Sequence, residues 1–245
     1  MGKTYRNPSI SEVICEFRFA PSTPWDITIP GMLFGVLKDS FPIKEKRNAK
    51  NIQIIAGPNG PEQSVTVVEQ IIFFSEDRRS LVLVGQNILS INHLAPYPGW
   101  HNFFPLIDRV FTIYRGMVAP IVFERIGLRY LNIISLSNGP NKLSHYFDFH
   151  PHIGKDLPQD FMSFLTGCIF PFNMGSDMCK VELTNAAPKN PSDRTMLLDL
   201  DYSTMLNHPV EVTNVSAWLN VAHENIERMF EGCIKDPVRE ILGNQ

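Results

Sequence analysis

Between Ser11 and Phe19 the side chains alternate: Val13, Cys15, Phe17 and Phe19 share one parity, Glu12, Ile14, Glu16 and Arg18 the other. A period of two marks a β-strand with one buried face. Such a strand needs a second layer over its apolar side and leaves a mostly polar side turned away. Amphipathic helices supply the layer. From Trp100 onward, Phe103, Phe104, Ile107, Val110, Phe111 and Tyr114 fall on one side at helical spacing. A shorter helix opens at Pro30 with Leu33, Phe34, Leu37 and Phe41 on one face, and Pro42 stops it.

Long strands over 63–74 and 80–93, joined by a hairpin loop at 75–79, and another over 121–136 complete a β-α-β-β-α-β order. The charged stretch 44–50 reads as a polar connection and 57–60 as a turn. That order is the one found in ferredoxin-like sandwiches. The rest of the chain reads similarly: a short strand over 146–149, a helix opened by Pro158 and carrying Phe161, Phe164 and Leu165, strands over 180–184 and 196–202, then a helix bearing Trp218, Leu219, Ala222, Ile226, Met229, Phe230 and Ile234. Trp100 to Phe111 aligns with Trp218 to Phe230, with one more residue between Trp and Ile in the second, a sign of internal repetition. The expectation is an α+β fold of two βαββα-type halves, a ferredoxin-like pseudo-repeat divided as 1–137 and 138–245. The halves pack as one unit, and their long antiparallel strands form a large curved sheet or a barrel.

Composition narrows the function classes. With 44% hydrophobic and 19% charged residues over 245 positions, the chain is globular rather than disordered. A net charge of −3 disfavours a nucleic-acid partner, which calls for clustered basic excess. There is no secretory apolar region and no run of about eighteen uncharged apolar residues, so no membrane partner is expected. Cys15, Cys168, Cys179 and Cys233 match neither zinc-ribbon nor Cys-x-x-Cys spacing, which fits reduced thiols and a cytoplasmic location. No cofactor signature is present.

Three stretches form a recognisable set: 7–19 (NPSISEVICEFRF), 89–92 (LSIN) with 96–100 (PYPGW), and 125–132 (RIGLRYLN). Together they resemble the signatures of a sporadically distributed, functionally uncharacterised prokaryotic family, and the closing helix with His223, Phe230, Arg239 and Glu240 resembles its C-terminal pattern. Ser9 and Leu131 depart from it, where a second Pro and an Ile are usual. The resemblance implies no activity. Patchy distribution implies an accessory role, of the toxin–antitoxin or phage-defence kind, and a partner protein encoded nearby.

Candidate chemistry lies in two places. If the first strand runs between the third and fourth, as in a ferredoxin-like sheet, Glu12, Glu16 and Arg18 share a face with Arg125 and Arg129, and Asn92 joins them. Gly127 leaves space between the two guanidinium groups. Cross-strand pairs on a solvated face need no function to explain them. As a recognition surface, Arg125 and Arg129 would grip a carboxylate or phosphate while Glu12 and Glu16 hold their forks. On that reading Arg129→Ala abolishes partner binding without altering the melting temperature, and Glu16 is the candidate base if the face is catalytic. The second place is His145, His150 and His152, with Asp148 near, a donor set suited to a transition metal but equally to an ordinary turn. The reading of the whole is a non-enzymatic interaction protein. An RNA-binding or RNA-processing protein and a metal-dependent hydrolase are the alternatives.

Overall fold

Val13, Cys15, Phe17 and Phe19 are all fully buried, and the strand that carries them, β1 (Ile10–Phe19), lies near the middle of a nine-stranded sheet. The computed structural model describes residues 5–57, 60–119, 121–136, 142–188, 194–205 and 210–243, with backbone alone for 49–57 and 60–67. Along the chain come α1 (Ile29–Leu37), β2 (Ile43–Gly57), β3 (Gly60–Phe74), β4 (Ser80–Gly85), β5 (Ile88–Leu94), α2 (Trp100–Met117), β6 (Phe123–Leu136), β7 (Leu165–Phe172), β8 (Asp177–Ala186), β9 (Arg194–Thr204), α3 (Val215–Cys233) and α4 (Asp236–Ile241). The sheet order is β2-β3-β4-β5-β1-β6-β9-β8-β7, with every neighbouring pair antiparallel. The sheet is open, with β2 and β7 at its edges, so the barrel alternative falls.

The helices pack on the face that β1 turns inward. Phe17 stacks on Phe111 of α2 at 4.6 Å, Phe19 on Tyr114 at 5.2 Å, Phe34 of α1 meets Phe73 at 5.4 Å, and Trp218 of α3 meets Tyr202 at 5.6 Å. Each large buried side chain contributes roughly 1.5–3 kcal/mol through removal from water, which makes this aromatic layer the main stabilising contact between helices and sheet. No described helix is long and apolar enough to cross a membrane.

The structure departs from the expected elements at several points, each for a physical reason. The strand expected over 80–93 is two strands, because Gln86 and Asn87 form a two-residue hairpin loop between paired Gly85 and Ile88. Asn87 takes φ 63°, a conformation Asn tolerates and this tight turn demands. The charged stretch 44–50 is not a connection but the start of β2, paired with β3. Strand formation there needs no apolar alternation, since β2 is an edge, where charge deters further pairing. Lys46 pairs with Glu69 at 2.5 Å and Lys44 sits over the Phe34 ring. No helix follows Pro158. Residues 158–164 are irregular, and Leu165, read as part of a helical face, begins β7 instead. Over 146–149, Phe147 alone forms a bridge, to Ile234. The second half therefore runs β-β-β-α-α rather than β-α-β-β-α, and the first contains six strands where a ferredoxin-like unit has four.

Candidate functional site

The polar side of β1 is the first place to look. Glu16 faces Ser90 of β5 and Gly127 of β6, Ile14 faces Asn92 and Arg129, and Arg18 faces Ile88 and Arg125. Glu12, Glu16, Arg18, Asn92, Arg125 and Arg129 thus share one face, on the side of the sheet away from the helices. Arg125 donates to Glu16 Oε1 at 3.2 Å, and Arg18 Nε donates to the same oxygen at 2.9 Å. The Arg125 guanidinium lies across Gly127, where a Cβ would stand 2.5 Å from Nη1. A side chain here would push the guanidinium off its present position.

The expected role of Glu12 is not the observed one. Its carboxylate accepts from Asn92 Nδ2 at 2.7 Å, and Asn92 in turn accepts from Ser90 at 2.6 Å. The arginine forks are held instead by two aspartates of β9 that the sequence reading left aside. Arg125 donates to both oxygens of Asp201, at 2.7 and 2.8 Å. Arg129 donates through Nε to Asp199 Oδ1 at 2.8 Å and through Nη2 to Oδ2. Asp199 raises the pKa of Arg129 through these hydrogen bonds, while burial raises that of Asp201 in spite of Arg125 and Arg129. The pattern Leu198-Asp-Leu-Asp-Tyr202 carried the signal, since Leu198, Leu200 and Tyr202 are fully buried and the aspartates alternate with them. These side chains meet and pair with one another.

On the helix side of the same strands lies a cavity of about 340 Å³. Tyr130 and Asn132 of β6 form its floor, since Tyr130 is opposite Val13 and therefore on the covered face. The start of α2 forms one wall. Gly99, at φ 84°, turns the chain into that helix, and its carbonyl accepts from Asn102 and Phe103. Trp100 then stacks on His223 of α3 at 4.4 Å and donates its indole N–H to Asn220 at 2.9 Å. The segment before β1 closes another side: Tyr5 donates to Glu231 at 2.5 Å, and Ser9 donates to Asn132 at 3.0 Å.

A continuous polar chain runs along the cavity. The hydroxyls of Tyr97 and Tyr130 are 3.0 Å apart, Tyr130 Oη is 3.0 Å from His223 Nδ1, and His223 Nε2 is 3.4 Å from Glu227, one turn further along α3. Burial pushes His223 down to about 4 and raises both tyrosines and Glu227. At neutral pH the imidazole is uncharged, with one donor and one acceptor nitrogen. All four groups are satisfied when Tyr97 donates to Tyr130, Tyr130 donates to Nδ1, and Nε2–H points at Glu227. These four groups include no serine, threonine or cysteine. Cys15 is wholly buried and its thiol is pushed well up by desolvation, which makes it an inert core residue.

The low His223 value has a measurable consequence. Between its ordinary 6.5 and about 4 the unfolded chain binds a proton that the folded protein refuses, so this group's stabilisation is present above 6.5 and is lost as pH falls toward 4. The expected contribution is up to about 3 kcal/mol. Glu227, raised by burial, acts in the opposite sense, so comparison with a variant isolates the histidine. His223→Gln should flatten that part of the stability–pH curve measured by chemical denaturation.

The histidine-rich segment brings no three metal-ligating side chains together. His145 packs edge-on against Tyr146, and His150 Nδ1 sits 3.0 Å from the carbonyl of Pro151. Among the described residues no three His, Cys, Asp or Glu side chains stand close enough to hold a metal ion. No family model matches the chain, and no curated protein shows significant similarity to it.

Proposed function

We propose that the chain is a non-enzymatic binding protein and that its ligand occupies the cavity beneath α2 and α3. One observation carries this reading. Separate stretches around Tyr5–Ile10, Tyr97–His101, Tyr130–Asn132 and His223–Glu231 converge on one partly open cavity with a hydrogen-bonded polar chain along it. An apolar, largely preformed pocket with a few convergent polar groups and shifted pKa values is the usual form of a small-molecule site. The stretches are those whose motifs resemble the sporadically distributed family, and membership of that family, with an accessory role beside a partner protein, belongs to the same proposal. So does an internal duplication. Outward from the central β1/β6 pair the sheet runs β5-β4-β3-β2 on one side and β9-β8-β7 on the other, and α2 follows β5 as α3 follows β9. On that reading the junction of the halves falls near Val118, before β6.

A fluorimetric melting screen with a set of small aromatic fragments tests the binding reading. Fragments that fill the cavity should raise the melting temperature by about 2 °C or more when well above their dissociation constants. His101 lines the cavity and is exposed, so His101→Trp obstructs the opening without disturbing the core. Stabilisation by hits should vanish in that variant. A screen without hits, or hits that stabilise both proteins alike, would overturn the proposal.

A further inference from the structure

The ligand's charge follows from what lines the cavity, taking as given that the cavity is the binding site. Its walls include Tyr5, Tyr97, Trp100, Tyr130 and Phe230, and its ionisable groups are His223, His101, Glu227 and Glu231. Among the described residues, no lysine or arginine side chain lines the cavity. The two carboxylates differ. Glu231 accepts from Tyr5 at 2.5 Å and from Arg239 Nε at 3.0 Å, so its charge is matched from behind the wall. Glu227 faces the imidazole of His223 at 3.4 Å and keeps 37% of its side chain open. The imidazole is an uncharged neighbour, stacked between Trp100 and the ring of Tyr130.

We infer that the cavity binds a small organic ammonium ion, its charge set against Glu227 and its body against the aromatic walls. Aromatic faces attract cations through their quadrupoles, and rings grouped beside a carboxylate form the common receptor for alkylammonium groups. An anion would meet the carboxylate of Glu227 with no lysine or arginine among the described lining residues to offset it. The volume, about 340 Å³, is at the small end for ligand sites and limits the guest to a compact molecule.

Three probes of one shape separate the possibilities: benzylammonium, benzyl alcohol and benzoate, titrated calorimetrically into the intact protein at neutral pH. Benzylammonium should bind at least tenfold more tightly than benzyl alcohol, and benzoate should not bind. Glu227→Gln, which keeps the side-chain shape on an open helix face, should bring benzylammonium down to the level of the alcohol while His101→Trp abolishes binding. If the alcohol or benzoate binds as tightly as the amine, and His101→Trp blocks it, the cation assignment is overturned while the cavity remains the site. If none of the three binds, the cation assignment falls too, and the fragment screen alone decides whether the cavity is a site.

Discussion

Asp177→Ala should destabilise the protein by about 3–5 kcal/mol, a large part of the roughly 5–15 kcal/mol that holds a domain folded. Asp177, the first residue of β8, is 3% exposed. Its carboxylate accepts from the Trp218 indole N–H at 3.0 Å, from the Tyr202 hydroxyl at 3.0 Å and from Asn173. Asn225 donates in turn to the Tyr202 oxygen at 3.1 Å. Removing the acceptor strands several buried donors at once, each carrying a full desolvation penalty. Both Trp218 and Asn225 belong to α3, so the network fixes the helix that brings His223 and Glu227 to the cavity. Chemical denaturation measures the loss, and a double-mutant cycle with Trp218→Phe should show coupling of about 1–2 kcal/mol. A cost below about 1 kcal/mol would mean that the network is not satisfied as described.

Arg129→Ala should lower stability by about 2–3 kcal/mol, or roughly 5–10 °C in melting temperature, contrary to what the sequence suggests. The reason is Asp199, 4% exposed and held from above by the Arg129 fork. Deleting the arginine leaves a nearly buried carboxylate without its counter-ion. The cost falls short of a fully buried pair because the Arg129 side chain is 40% exposed and water reaches it. Replacing both partners with apolar residues, as in Arg129→Met with Asp199→Leu, should recover most of the loss. A melting temperature unchanged in Arg129→Ala would return the sheet face to the status of a free recognition surface.

What the sequence made legible was local. Alternation in β1 and the helical spacing of α2 both identify the buried side correctly: Phe103, Ile107, Val110, Phe111 and Tyr114 are all buried. Placing β1 beside Arg125 and Arg129 was legible too, because the long strand carrying them had only a few positions to occupy. Asp199 and Asp201 sit about seventy residues away from their arginines, and nothing in a linear pattern announces that β9 pairs with β6. β2 hid behind its charges, since an edge strand needs no apolar face. β7 was misread because Phe161, Phe164 and Leu165 happen to match helical spacing. The cavity was hidden more completely. Tyr130 and Asn132 alternate with Arg129 and Leu131 along β6, so the same motif that displays arginine on one side supplies the cavity floor on the other. His223 and Glu227 are one turn apart on α3, but Tyr97 shares no spacing with them, and only the packing of α2 and α3 over the sheet brings the three together.

The central claim is that ligands enter the cavity and not the arginine–aspartate face. Hits from the fragment screen, titrated into ¹⁵N-labelled protein, decide this through side-chain N–H signals. The chain has three tryptophans, Trp25, Trp100 and Trp218, and Trp100 alone of them lines the cavity. Its indole signal should move while the other two and the Nε–H signals of Arg125 and Arg129 stay in place. Movement of the arginine signals with Trp100 silent would contradict the account.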